Sequence, residues 1–193
     1  MFDCIVPLGK TCLISFLMEN AKLRNETSLF EWFVVNSLQT ITTIIEYAAR
    51  NTQPQINVRN DGNAGVQIID MNMYSGHYSV DEYIPKYGRR AARFIETLRS
   101  NRRILFLRYE DGELPQQNEV DDFITTLRNI NPDLEIKVVL VRSSNKKESD
   151  IRFDHPILNY EYIPNEYIST DDILCKREPI NVWFQNVLQK YST

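Results

Sequence analysis

The run Ile5-Val6-Pro7-Leu8-Gly9-Lys10-Thr11-Cys12-Leu13-Ile14-Ser15-Phe16-Leu17 places a cysteine where a short apolar strand turns through glycine into a helix. Leu13, Phe16, Leu17 and Ala21 keep helical spacing, which predicts a helix starting near Lys10 or Thr11. Cys12 then falls in the first turn, where unpaired backbone N–H groups and the positive end of the helix dipole stabilise a thiolate. Lys10, two residues earlier, adds a cation acting in the same sense. Such a thiol is a nucleophile candidate. A cysteine at this junction is also commonly a small buried hydrophobe, and the sequence leaves both readings open.

Gly9-Lys10-Thr11 matches the last three positions of a phosphate-binding P-loop as well. The full loop needs another glycine five residues earlier, so that its N–H groups wrap the phosphates. Cys4 stands there instead, and Pro7 removes one donor. No later apolar strand ends directly in a magnesium-binding aspartate. An NTPase is not expected.

A second concentration of chemistry is basic. A helix with Pro85 near its start turns Tyr87, Ala91, Phe94, Ile95 and Leu98 inward. Its other face carries Lys86, Arg90 and Arg93, with Arg89 beside them. From Lys86 to Arg108 there are eight basic residues and one acid, a local +7 that leaves −11 for the remaining chain. That contrast suits an anionic group. Charge stripes on helices are more often solvated faces. Ile104-Leu105-Phe106-Leu107 then reads as a central strand. It ends in Arg108-Tyr109-Glu110-Asp111-Gly112, so polar groups emerge at the C-terminal edge, where open α/β sheets place their sites.

These groups need a scaffold, and 193 residues suffice for one domain spanning 1–193 with a real core. Apolar content of 42% and charged content of 25% are ordinary for a globular chain, and a net charge of −4 gives no general case for nucleic acid. Cys4, Cys12 and Cys175, with only His77 and His155 besides, form neither a disulfide framework nor a zinc pattern. No metal or cofactor is expected. Asp3 interrupts the N-terminus and no long apolar run follows, so neither a secretory signal nor a membrane span is expected. A reducing, cytoplasmic compartment fits, and it would keep Cys12 a free thiol.

After the first helix, Leu29-Phe30-Glu31-Trp32-Phe33-Val34-Val35 is too aromatic for a surface loop and is expected to pack on the first strand. Asn36 or Ser37 caps a second helix with Leu38, Ile41, Ile44, Ile45 and Ala48 inside. Residues 56–58 and 66–71 read as short strands in a hairpin excursion over 54–73. Asn118 caps a helix with Val120, Phe123, Ile124 and Leu127 inside, and Ile136 to Val141 is the next strand. Ser143 to Asp150 is a polar loop and the expected flexible segment. Ile157 to Ile163 is a last strand, and Pro179 opens a terminal helix. This order predicts an α/β fold: a single three-layer domain with a mainly parallel central sheet, with α+β as the fallback.

Several short blocks follow one another: Leu8-Gly9-x-x-Cys12, Leu23-Arg24, Ser28-x-Phe30-Glu31-Trp32, Tyr87-x-Arg89-Arg90-x-x-Arg93-Phe94 and Ile104-Leu105-Phe106-x-Arg108. Over about the first 110 residues the chain resembles an uncharacterised bacterial and viral family labelled papain-like cysteine peptidases. The family block reads Pro-Phe-Asp-Trp, and here Leu29 replaces the proline and Glu31 the aspartate. The resemblance implies a thiol-dependent hydrolase or acyltransferase acting on a peptide or amide bond of a peptide, protein or glycan substrate, in the cytoplasm (a host's, for a viral member). It implies Cys12 as nucleophile and His77 as general base, each charged form stabilising the other. Glu110 or Glu31 would orient the imidazole. Papain-like folds carry that histidine on a barrel strand, whereas His77 here precedes a helix. Two other functions stand beside this one. In the first, a carbohydrate- or nucleotide-sugar-linked protein uses the strand ends near Gly9 and Glu110 to Gly112, with Arg89, Arg90 or Arg93 holding a phosphate and Lys10 and Arg108 as further candidate anion-binding residues. In the second, a non-catalytic binding or host-interaction protein keeps the fold alone.

Overall fold

The computed structural model describes residues 2–23, 27–52, 66–68, 73–75, 80–168 and 178–191. Four strands, β1 (Cys4–Pro7), β5 (Arg103–Tyr109), β6 (Glu135–Ser143) and β7 (Leu158–Ile163), form an all-parallel sheet in that order. Between them run α1 (Leu13–Asn20), α2 (Leu38–Ala49), α3 (Val80–Ser100) and α4 (Gln117–Ile130), and α5 (Glu178–Lys190) follows. The expected α/β class is what the chain adopts.

The alternation of β5 explains the layering. Ile104 and Phe106 face a core built with α2, α3 and α4, while Leu105, Leu107 and Tyr109 face one built with α1 and α5. A parallel sheet covered on both faces needs apolar residues at every position, and β5 is apolar from Ile104 to Leu107 accordingly. Ile104 pairs with Cys4 on one side and Ile136 on the other, fixing the register across the centre of the sheet.

A second, antiparallel sheet joins β2 (Val34–Val35), β3 (Val66–Ile68) and β4 (Met73–Ser75), with β4 in the middle. It anchors the aromatic block: Leu29, Phe30, Phe33 and Val35 are all buried in the α2–α3–α4 core. Of the strand expected over 66–71, residues 66–68 form β3, while 69–71 and the strand expected over 56–58 lie outside the described residues.

Two helix starts and one loop differ from expectation for identifiable reasons. Gly9 and Lys10 both have positive φ, +71° and +73°, so the right-handed helix cannot begin there and α1 opens at Leu13 with Cys12 as its N-cap. The helix expected to be capped by Asn118 is capped by Gln116, whose N–H donates to the Glu119 carboxylate at 2.9 Å. The polar loop after Ser143 is also tied down. Asp150 accepts from Nε of Arg142 at 2.9 Å and from the Tyr162 hydroxyl at 3.2 Å.

Candidate functional site

The exit of β1 is built by glycine. A Cβ at position 9 would lie 2.9 Å from Cγ2 of Val35 and 3.2 Å from the Phe33 carbonyl, so both φ and space demand glycine. The turn carries Lys10 toward the end of β5. Its Nζ sits 3.3 Å from Oε1 of Glu110 and 3.4 Å from Oδ1 of Asp111, and donates to the Asn36 carbonyl at 3.4 Å.

That placement corrects the expectation for Cys12. Lys10 is neutralised by two carboxylates, and burial pushes the Cys12 thiol up rather than down. The thiol is half-buried at the N-cap, and the backbone carbonyl of Cys12 accepts the Phe16 N–H at 3.0 Å. His77, expected as its base, lies outside the described residues.

Glu110 and Arg108 serve each other. Arg108 is wholly buried, and its Nε donates to Oε2 of Glu110 at 2.9 Å. Nη1 donates to the Leu8 carbonyl at 3.1 Å and Nη2 to the Val35 carbonyl at 3.0 Å. The guanidinium thereby ties β5 to the ends of β1 and β2, and it is not a ligand-facing group. Burial lowers its pKa and the Glu110 carboxylate opposes that. Oε1 of Glu110 takes Lys10 and the Gly112 N–H, the latter at 3.4 Å. Both oxygens of Glu110 are therefore occupied, which leaves it poorly placed to orient an imidazole.

Beside this pair, Nη1 of Arg142 donates to the Glu110 and Gly112 carbonyls at 2.8 and 2.5 Å. The other side of its guanidinium grips Asp150, which Arg142 holds below the usual carboxylate range. The carboxyl edge of the sheet is thus closed by ion pairs. Sheet order and chain order coincide among the described strands, so no reversal of strand order opens a crevice there. A hollow of about 220 Å³ remains between Lys10, Ser37, Glu110 and Gln116.

The larger cavity, about 460 Å³, lies elsewhere, along the outer side of β1 from Phe2 to Pro7. Its opposite wall is α3, which contributes Arg90 and Arg93, and Glu31 closes it from the aromatic block. Arg90 is only 8% exposed and Glu31 only 2%. The Ser28 N–H donates to Oε1 of Glu31 at 2.8 Å, and Nη2 of Arg93 donates to the Thr27 carbonyl at 3.1 Å. Arg89 is exposed and does not line this cavity. The residues expected to form one anion site are therefore divided. Gly9, Lys10 and Arg108 hold the carboxyl edge, while Arg90 and Arg93 line the β1 cavity.

Sequence reasoning missed Cys4, which lines this cavity half-buried with its thiol pushed up by burial. It also missed Asp3, which accepts the N–H groups of Arg102 and Arg103 at 3.1 and 2.9 Å. Neither has a local signal, because both depend on β1 lying beside β5. Among the described residues no group of three or more His, Cys, Asp or Glu side chains is arranged to hold a metal, and no helix is long and apolar enough to cross a membrane. Compared with family models, curated proteins and solved structures, the chain shows no significant match.

Proposed function

We propose that the chain binds a small anionic ligand in the cavity beside β1, with Arg90 and Arg93 receiving its phosphate or carboxylate group. The observation that carries this reading is Arg90, an arginine on a helix face expected to be solvated that is instead buried in the wall of a ligand-sized hollow. A guanidinium carries planar, paired donors, and in a low-dielectric wall that it shares with the buried Glu31 carboxylate a charge-assisted bond is strong. A sugar phosphate or nucleotide sugar matches this chemistry.

Thermal melts with pyrophosphate, a sugar phosphate and citrate at constant ionic strength test it. A ligand at about one hundred times its Kd adds about 2.7 kcal/mol, which for a chain of this size is a rise of about 5–11 °C. Arg93→Ala, at an exposed position, should abolish most of that rise. Melting temperatures indifferent to every anion would overturn the reading.

A second reading is thiol-dependent hydrolysis or acyl transfer at a peptide or amide bond, with Cys12 as nucleophile and His77 as base. The place of Cys12 at the N-cap of α1, beside the carboxyl edge of a parallel sheet, favours it. The pH dependence of Cys12 alkylation by iodoacetamide decides it, measured in a Cys4→Ser, Cys175→Ser background with and without His77→Ala. Reactivity well below pH 8 that disappears with His77 supports a Cys–His pair, and an inert thiol ends this reading.

A further inference from the structure

Parallel strands are ordinarily joined by a crossover helix, as β5 and β6 are by α4. β6 and β7 are joined differently. Residues 144–157 make that crossing with one 3₁₀ turn, Ser144–Lys146, and otherwise irregular chain. Within it, 145–152 is fastened almost entirely to itself. Lys147 donates its N–H to the Ser144 carbonyl, and Ser149 and Asp150 donate theirs to the Lys146 carbonyl. Among the described residues no backbone hydrogen bond joins 145–152 to another element. Its side chains are exposed, Ile151 by 93%, with Asp150 as the exception. The Asp150 carboxylate is only 4% exposed and lies on Arg142. Lys147 and Arg152 add weaker contacts, 6.0 and 5.8 Å from the centre of the Tyr162 ring. A segment with self-contained hydrogen bonds and one buried anchor can open while the sheet stays folded.

The anchor sits in a seat built by the strands. Arg142 is at the C-terminal end of β6, a central strand, where open α/β sheets place their ligands. Its Nη1 is held by the Glu110 and Gly112 carbonyls at 2.8 and 2.5 Å, so its position does not depend on 145–152. Nε donates to Oδ2 of Asp150 at 2.9 Å and Nη2 to Oδ1, the two-pronged mode in which arginine receives a carboxylate or phosphate. The Tyr162 hydroxyl on β7 donates to the same Oδ2 at 3.2 Å. All these donors belong to the strands, and the carboxylate alone belongs to the crossing.

We infer that residues 145–152 are a lid on the carboxyl edge, closed by Asp150 standing in the seat of an exogenous oxyanion, a carboxylate or a phosphate, on Arg142 and Tyr162. The closed form has its seat filled, so such an anion binds the open form alone and shifts the lid toward it. This seat is separate from the cavity beside β1 and does not rest on the reading of that cavity.

Trypsin reports the lid, because Lys146, Lys147 and Arg152 lie in it and cleavage follows the open population when opening and closing are fast. Digestion of the full chain is compared in chloride, inorganic phosphate and acetate at constant ionic strength, with trypsin activity calibrated on a short peptide in each buffer. Phosphate, acetate or both should speed cleavage in the lid by about threefold or more, and the effective anion identifies the group the seat takes. The general effect of phosphate on folded proteins runs the other way, toward compact forms. Asp150→Asn should be cut about tenfold faster without added anion, with Arg99 in α3 and Arg128 in α4 still protected. Arg93→Ala should respond to the anions as wild type does. Lid cleavage that neither anion accelerates would overturn the inference. So would an Asp150→Asn lid cut as slowly as wild type or only together with α3 and α4, or an anion response lost in Arg93→Ala.

Discussion

Glu110→Gln tests whether the carboxyl edge is held by charge. Arg108 has no exposed surface, and among the described residues its only carboxylate contact within hydrogen-bond distance is Oε2 of Glu110 at 2.9 Å. At an effective dielectric constant of about 20 the attraction across that distance is about 6 kcal/mol, much of it offset by desolvating two charges. Breaking a buried pair leaves an uncompensated charge and typically costs about 3–5 kcal/mol. The lower end applies here, because the Leu8 and Val35 carbonyls still receive the guanidinium and Asp111 still faces Lys10. Urea unfolding followed by the fluorescence of Trp32 and Trp183 should show a loss of about 3 kcal/mol with unchanged m-value, equivalent to about 6–12 °C in Tm. The double variant Arg108→Met, Glu110→Leu should recover part of it, since an apolar pair removes the desolvation penalty with the attraction but leaves the Leu8 and Val35 carbonyls without their donor. A loss below about 1 kcal/mol in Glu110→Gln, or a double variant worse than the single, would refute the reasoning.

Gly9→Ala should cost about 1–3 kcal/mol by the same urea assay, because the new Cβ meets Cγ2 of Val35 at 2.9 Å on a backbone with φ of +71°. Asp150 has a folded pKa held below its unfolded value, first by its hydrogen bond to Arg142, so the stability it adds is present above the ordinary carboxylate pKa of about 4 and is lost as pH falls through the folded value. Acid titration of unfolding should accordingly show a shallower acid-side decline in Asp150→Asn, from a lower neutral plateau. Tyr87 is buried, with its phenol pushed up to about 12 by desolvation, so its contribution is complete below pH 10 and lost as pH rises toward 12. Absorbance at 295 nm should show one late tyrosinate fewer in Tyr87→Phe. Because the Tyr87 hydroxyl has no hydrogen-bond partner among the described residues, that variant should be as stable as wild type or more so by up to about 1 kcal/mol.

The pattern of residue types specifies the elements and their faces. Ile104 to Leu107 is apolar at every position because both faces of β5 are covered, and the helical spacing of Tyr87, Ala91, Phe94, Ile95 and Leu98 marks the face of α3 that is buried. Gly9 likewise marks where the chain turns out of β1, since glycine takes up the left-handed backbone without the steric cost a Cβ brings. Tertiary structure decided the state of the charged groups, because each depends on a partner far along the chain. Nothing local to Lys10 foretells Glu110 and Asp111, which the pairing of β1 with β5 brings to its ammonium and which divert it from Cys12. Arg89 and Arg90 are adjacent and chemically identical, yet one is exposed and the other buried, because only Arg90 faces the hollow between α3 and β1. Local spacing fixes which way a side chain points along its own element. What it points at is fixed by strand order and helix packing, and with it the charge, the proton affinity and the ligand a group can serve.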